Sequence, residues 1–143
     1  MNILKSGLLL SVIGLTACGD IPRDPDHTTK RIARSHTIKA GIVSASDPKD
    51  TAVIIKRIES VTGAKVSAVH SEASLLTDQL EKGRIDLIIG SFAKNSPLKK
   101  SVTFSAPIDN RKVASDQPVT RAGMSPGENR WIILVEKAVR GHD

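Results

Sequence analysis

The stretch that decides the fold is residues 80–90, which read LEKGRIDLIIG. It ends in an almost unbroken apolar run that lies between Gly83 and Gly90. Runs of this kind are typical of the central strand of a parallel sheet that is covered on both faces. We therefore predict a buried strand over residues 84–90.

The sequence before this strand alternates between strand and helix patterns. Residues 37–43 and 65–70 have the apolar density and alternation of short strands. Between them, the Asp-Pro pair at residues 47–48 is a typical helix start, and Gly63 is a typical helix stop. A second helix is predicted over residues 72–82, directly before the central strand.

The sequence after the central strand predicts weaker elements and one clear helix. Ser96-Pro97 indicates a short helical turn, and residues 119–124 indicate a weak strand. The segment SPGE at residues 125–128 has the pattern of a capping box with proline at the first helical position. We expect it to begin a last helix that contains Trp131.

This order of elements predicts the fold class. Strand–helix–strand–helix–strand with short loops implies parallel strands and right-handed crossovers. We expect an α/β protein with a single three-layer lobe, a mainly parallel central sheet and helices on both faces, which occupies residues 37–143.

The N-terminus has the pattern of an export signal. Lys5 is its only charge, and an uncharged apolar run follows that is too short for a transmembrane helix. The run ends in LTAC at residues 15–18, which resembles the lipobox read by lipoprotein signal peptidase. We expect residues 1–17 to be a lipoprotein signal peptide and Cys18 to be acylated. The alternative, a secretory peptide with a chance cysteine, is disfavoured because Cys18 is the only cysteine.

The segment after Cys18 is polar and interrupted by prolines. Residues 18–36 contain Pro22 and Pro25 among many charged side chains. Such a composition buries little apolar surface, so we predict a flexible tether between a lipid anchor and the lobe. The expected location is the cell envelope, facing the periplasm, with the choice of inner or outer membrane left open.

Composition and motifs argue against two functional classes. The formal net charge is +6, but aromatic residues are scarce and tyrosine is absent, which disfavours nucleic acid as a partner. The four histidines have no metal-ligand spacing, and no nucleophile elbow or P-loop occurs. We expect no enzyme activity, no metal and no cofactor.

Residues 75–108 resemble the first lobe of extracellular solute-binding proteins of family 3. The resemblance rests on LEKGRIDLIIG and on VTFSAPI at residues 102–108, which match the family's "L-x-x-G-x-x-D" and "F-S-x-P-Y" patterns in order. It implies lobe 1 of a type 2 periplasmic binding protein, the substrate-binding component of a transporter. An inner-membrane transporter or sensor is then an expected partner.

The chain departs from this family in two ways. Only ten residues separate Ile108 from Val119, where the family inserts a second lobe, and an independent core needs roughly 40 residues. The family's arginine, which holds a ligand carboxylate through a bidentate fork, corresponds to Leu98. The resemblance therefore implies a short, single-lobe lipoprotein form.

A candidate site follows from the predicted sheet. In open parallel sheets, ligands lie at the carboxyl ends of the strands, close to helix N-termini that favour anions. The polar residues expected at this edge, called here the strand-end rim, are Ser44, Ser46, Ser71, Glu72, Ser91, Lys94 and Asn95.

Two functions remain open at this point. In the first, the lobe binds a small polar or anionic solute weakly, or together with a membrane partner that supplies the missing wall. In the second, it is an interaction module of the cell envelope that no longer binds solute. The missing second lobe and Leu98 motivate the second reading.

Overall fold

The structure is a computed structural model that describes residues 23–141. The predicted signal peptide and Cys18 lie outside the described residues. Four helices and five strands occur in the described part. In chain order they are α1 (Thr28–Ser35), β1 (Thr37–Val43), α2 (Pro48–Thr62), β2 (Lys65–Ser71), α3 (Ala73–Glu81), β3 (Leu87–Phe92), β4 (Thr103–Phe104), β5 (Val119–Met124) and α4 (Asn129–Arg140).

The strands form one five-stranded sheet in the order β2-β1-β3-β5-β4. β1 pairs in parallel with both β2 and β3, while β5 runs antiparallel to β3 and to the short edge strand β4. The expected α/β lobe with a mainly parallel sheet is confirmed. Among the described strands β5 alone runs against the others, because the chain returns directly through residues 105–118, which contain a short 3-10 turn (Ile108–Asn110) but no α-helix to cross back over the sheet.

Helices cover both faces of the sheet, as predicted. The larger apolar cluster lies under α1, α2 and α4 and contains Ile32, Ile54 and Trp131. The smaller cluster lies under α3 and contains Leu76 and Ile88. Because β3 contributes to both clusters, its apolar run has no polar face, which is the pattern that revealed it in the sequence.

The predicted boundaries of α2 are confirmed, and the reason is local chemistry. The Asp47 carboxylate accepts hydrogen bonds from the main-chain N–H of Lys49 at 2.8 Å and of Asp50 at 2.9 Å, and Pro48 occupies the first turn. At the other end, Gly63 adopts a left-handed conformation with φ 66° that ends the helix.

The central strand lies further along the chain than predicted. It was expected over residues 84–90, but β3 spans Leu87–Phe92. Asp86 ends the preceding turn instead of entering the sheet: its N–H donates to the Lys39 carbonyl at 2.7 Å, and its carboxylate accepts from the Lys39 N–H at 2.8 Å. These contacts fix the approach of the chain to β1, so regular pairing with β1 begins only at Leu87.

The prediction of a flexible tether over residues 18–36 is wrong for its second half. Residues 28–35 form α1, and Ile32 is 3% exposed within the larger cluster. Ile32 is the one buried apolar residue of this helix, and it is sufficient to hold the helix in place because α4 and β1 supply the surface that it packs against. Composition could not reveal this contact, since α4, which supplies part of that surface, begins about 100 residues further along the chain.

The predicted capping box at residues 125–128 is also wrong. Glu128 is the N-cap residue of α4, but its carboxylate accepts from the N–H of Asp26 at 2.7 Å and of Thr28 at 3.3 Å, at the start of α1. In return, the Asp24 carboxylate accepts from the Trp131 N–H at 3.1 Å, in the first turn of α4. The two helices therefore cap each other's N-termini, which a local motif cannot anticipate.

Candidate functional site

The parallel register brings part of the predicted strand-end rim together. The N–H of Ser44 donates to the Ser71 carbonyl at 3.1 Å, which joins the ends of β1 and β2. Ile42 pairs with Ile89, so Ser44 and Ser91 both follow two residues later at the same sheet edge. Ser44 and Ser91 are exposed, and Ser71 is half-buried.

The remaining rim residues differ in what they contact. Ser46 donates from both its N–H and its hydroxyl to the Val43 carbonyl, so its side chain belongs to its own turn. Glu72 is the N-cap residue of α3, is exposed and makes no capping hydrogen bond with its side chain. The Asn95 N–H donates to the Ser115 carbonyl at 3.1 Å. Lys94 lines a separate cavity beside β4, which is described after Leu98.

Leu98, the position that the sequence resemblance assigns to a ligand-holding arginine, is part of the apolar packing. It is half-buried and packs against the smaller cluster under α3. The Ser96 side chain accepts from the Leu98 N–H at 3.3 Å and caps the short 3-10 turn Pro97–Lys100. Leu98 therefore contributes to the apolar core, and the described strand-end rim has no guanidinium group at position 98.

A cavity lies beside the edge strand β4. We call it the β4-edge cavity; its volume is about 760 Å³. Its walls are formed by the β3–β4 connection, by β4 and the segment that follows it, by β5 and by α4. The lining residues are Lys94, Lys99, Val102, Thr103, Phe104, Ser105, Ala106, Pro107, Arg111, Lys112, Val113, Arg121, Glu136 and Arg140.

The charge of this lining is strongly unbalanced. Six of its side chains are cationic, and Glu136 is the one carboxylate among the lining residues. Two of the cations have partners: Arg111 makes a bidentate pair with Asp50 at 2.7 and 2.8 Å, and Arg140 pairs with Glu136 at 2.7 Å. The hydrogen bonds from Arg111 hold the pKa of Asp50 below its usual range although burial opposes this.

Arg121 is the buried member of this lining. It is 6% exposed; its Nε donates to the Phe92 carbonyl at 3.1 Å and its Nη1 to the Ser105 carbonyl at 2.9 Å. Burial lowers the pKa of its guanidinium, and the Glu136 carboxylate acts in the opposite direction. Among residues 23–141, no carboxylate lies within ion-pair distance of Arg121.

The apolar part of the cavity lining comes from β4 and the residues beside it. Val102 is 2% exposed, and the Phe104 ring lies 4.7 Å from the Phe92 ring, centroid to centroid. Pro107 and Val113 continue this apolar lining. The cavity thus presents hydrocarbon surface between cationic side chains.

Sequence reasoning found only Lys94 among the residues that line this cavity. One signal for Arg121 was available: it is the only charged residue within the six-residue strand VTRAGM, whose positions are all buried. A charge in such a strand indicates a compensating environment. Residues 111–113 offered no signal, because their approach to β4 depends on the path of the whole segment after it.

Two further observations concern metal-binding groups and membrane-spanning helices. Residues 23–141 contain no group of three or more His, Cys, Asp or Glu side chains placed to hold a metal ion. Within the same part of the chain, no helix has both the length and the apolar character required to cross a bilayer.

Comparison with solved structures shows which fold this is. The structure matches the arginine-bound form of domain 1 of TmArgBP with a TM-score of 0.64 and 18% identity, over 78% of this chain and 98% of that domain. An amino acid ABC transporter substrate-binding protein from Streptococcus pneumoniae bound to L-arginine matches with a TM-score of 0.64 and 8% identity, over 78% of this chain and 90% of that one.

A third structure broadens this group. The VFT2 domain of Bordetella pertussis BvgS matches with a TM-score of 0.63 and 10% identity, over 86% of this chain and 95% of that domain. No family model matches the sequence, and no curated protein matches it. The chain has the fold of domain 1 of a periplasmic binding protein, and its structural neighbours include amino-acid-binding proteins.

Proposed function

We propose that this protein is a lipid-anchored, single-lobe solute-binding protein of the cell envelope that binds a small polar or anionic solute. The observation that carries the proposal is the match to a lone domain 1, because that domain is itself described in an arginine-bound form. A second lobe is therefore not a condition for ligand binding on this fold.

The strand-end rim is the proposed place of binding. Ser44, Ser71 and Ser91 end neighbouring strands, and the N-terminus of α3 begins beside them. Hydroxyl groups and helix N–H groups at such an edge suit a polar or anionic solute. With one lobe the solute is only partly enclosed, so we expect weak binding unless a transporter or sensor in the inner membrane supplies an opposing wall.

A thermal-shift screen of the full chain against amino acids (arginine included), organic acids and oxyanions tests this proposal. We expect a saturable rise in melting temperature with at least one solute, since a ligand that binds only the native state stabilises it. Ser91→Trp should abolish the rise by covering the rim. Ser67→Trp is the matched control, because Ser67 is an exposed strand residue away from the strand ends. No rise with any solute at millimolar concentration contradicts the proposal.

Anchoring through acylated Cys18 is part of the same proposal. Arg23, five residues after the cysteine, is at most about 18 Å from it along an extended chain. Lys30 and Arg34 are exposed on α1 near this point, and basic residues close to a bilayer surface favour anionic headgroups. Mass spectrometry should find acyl chains on Cys18, and Cys18→Ala should release the protein from the membrane fraction; an unmodified cysteine would refute the anchor.

The alternative function is an envelope interaction module that binds no solute. The packing of Leu98 against the smaller cluster favours it, because the resemblance assigns this position to an arginine that would hold a ligand carboxylate. In-cell crosslinking from the exposed Ser44 distinguishes the two functions. The interaction module requires one specific crosslinked partner in the absence of any stabilising solute.

A further inference from the structure

Arg121 has an incompletely compensated positive charge. Two of its nitrogens donate to neutral carbonyl groups, and the nearest carboxylate that acts on it, Glu136, is engaged elsewhere. The Glu136 carboxylate accepts from the Ala106 N–H at 2.9 Å and pairs with Arg140. A buried cation without an opposite charge is costly, so an anion that reached this guanidinium would be bound favourably.

Three lysines line the same cavity. Lys94, Lys99 and Lys112 are exposed, and none of them forms an ion pair with any residue between 23 and 141. Lys94 and Lys99 approach from the β3–β4 connection, whereas Lys112 comes from the segment after β4. The cavity therefore has one buried cation and three exposed ones on two sides, which favours a ligand with more than one negative charge.

The shape and lining of the cavity narrow the ligand further. A volume of about 760 Å³ is that of a small-molecule site, larger than a bare oxyanion requires. The cavity also has an accessible hydrocarbon lining, contributed by the half-buried Phe104 and Pro107. An apolar body that covers this surface would gain free energy in proportion to the area removed from water.

We propose that the β4-edge cavity binds a small organic dianion, with its apolar body on Phe104 and its negative groups near Arg121 and the three lysines. An aromatic dicarboxylate and an aromatic phosphate monoester both have this chemistry. The proposal does not depend on the strand-end rim, with which the cavity shares only Lys94. Arg121 also has a structural role, because it donates hydrogen bonds to the carbonyl groups of Phe92 and Ser105. A purely structural role would not make the stability of the protein depend on anions.

Calorimetric titration of the full chain with phenyl phosphate and with benzene-1,3-dicarboxylate tests the proposal. We expect saturable binding that weakens as the salt concentration rises, because the charges are screened. Inorganic phosphate lacks the apolar body, and benzoate lacks the second charge, so both should bind more weakly by about tenfold or more. Equal affinity for inorganic phosphate would overturn the apolar contact, and absence of saturable binding to either dianion would overturn the site.

Variants locate the binding. In Lys99→Gln/Lys112→Gln we expect an affinity loss of about tenfold, the size expected for two contacts made by exposed charges. Lys49→Gln/Lys56→Gln is the matched control, because both lysines are exposed and lie outside the cavity. Unchanged affinity in the cavity variant would overturn the proposal without requiring Arg121 to be replaced. Ser91→Trp, which blocks the rim, should leave dianion binding intact, so the two proposals fail independently.

Discussion

The indole Nε1 of Trp131 donates a hydrogen bond to the main-chain carbonyl of Asp86 at 2.9 Å, and both residues are buried. The Asp86 carboxylate in turn accepts from Lys39 in β1 and from Arg31 in α1. One residue thus joins α1, β1 and α4. The aspartate of the "L-x-x-G-x-x-D" pattern is therefore a structural residue in this chain.

Asp86→Asn should lower the free energy of unfolding by about 2 kcal/mol. Arg31 and Lys39 donate to different oxygens of the carboxylate, so in the amide one of these donors would face an NH2 group instead of an acceptor. Urea unfolding measures the change. Asp78→Asn is the control: its pair with Lys82 lies on the exposed surface of α3 and is worth less than about 1 kcal/mol. Equal losses in the two variants would contradict this role for Asp86.

Glu128→Ala should destabilise α1, although Glu128 lies about 100 residues later in the chain. It removes the acceptor of two N–H groups, that of Thr28 in the first turn of α1 and that of Asp26 just before the helix, which costs about 1 kcal/mol. Hydrogen exchange should accelerate in residues 28–35 more than in α2. Glu81→Ala, a change of an exposed glutamate at the end of α3, serves as the control. If exchange in α1 is unchanged, the reciprocal capping of α1 and α4 is wrong.

Stability should fall in acid below about pH 4. The pKa of Asp50 is lowered by the hydrogen bonds from Arg111, against the effect of burial. For Asp24, burial acts to raise the pKa, but the hydrogen bonds from Thr29, Trp131 and Arg130 outweigh it and lower the pKa. Both carboxylates therefore bind protons less readily in the folded state than in the unfolded state, whose aspartate pKa is about 3.9.

The sign of the pH effect follows from linkage. In the acid range the unfolded state binds more protons, so the stability from these two groups is complete above their unfolded pKa and is lost as pH falls through their folded pKa. Unfolding followed from pH 7 to pH 2 should show this decline. Asp24→Asn/Asp50→Asn should be less stable at pH 7 and should lose less on acidification. An unchanged slope would rule these groups out as the cause.

Thr51→Val should raise the free energy of unfolding by about 1 kcal/mol. The Thr51 hydroxyl is buried and has no hydrogen-bond partner among the described residues, so a methyl group of similar size removes an uncompensated polar atom. Thr77→Val is the matched control: Thr77 is equally buried on a helix, but its hydroxyl donates to the Ala73 carbonyl at 2.8 Å. Thermal unfolding should show a rise for the first variant and none for the second. The reverse order would contradict the assignment.

The sequence by itself determined the fold class and most element positions. The apolar run around Ile88, the Asp47 cap and the Gly63 stop are local signals, and local signals are sufficient where a residue's preference agrees with its tertiary setting. The same reasoning identified Ser44 and Ser91 at one sheet edge, because parallel strands present their carboxyl ends together. The export signal and Cys18 remain sequence-based proposals.

Only the tertiary structure decided the rest. Three features depend on contacts between distant parts of the chain. They are the helical structure of residues 28–35, the caps exchanged through Asp24 and Glu128, and the cationic lining around Arg121. Periodicity and composition describe neighbours along the sequence, whereas these features depend on neighbours in space. The physical reason is that a helix with one buried apolar residue, or a charge in a buried strand, is stable only when another segment supplies its partner.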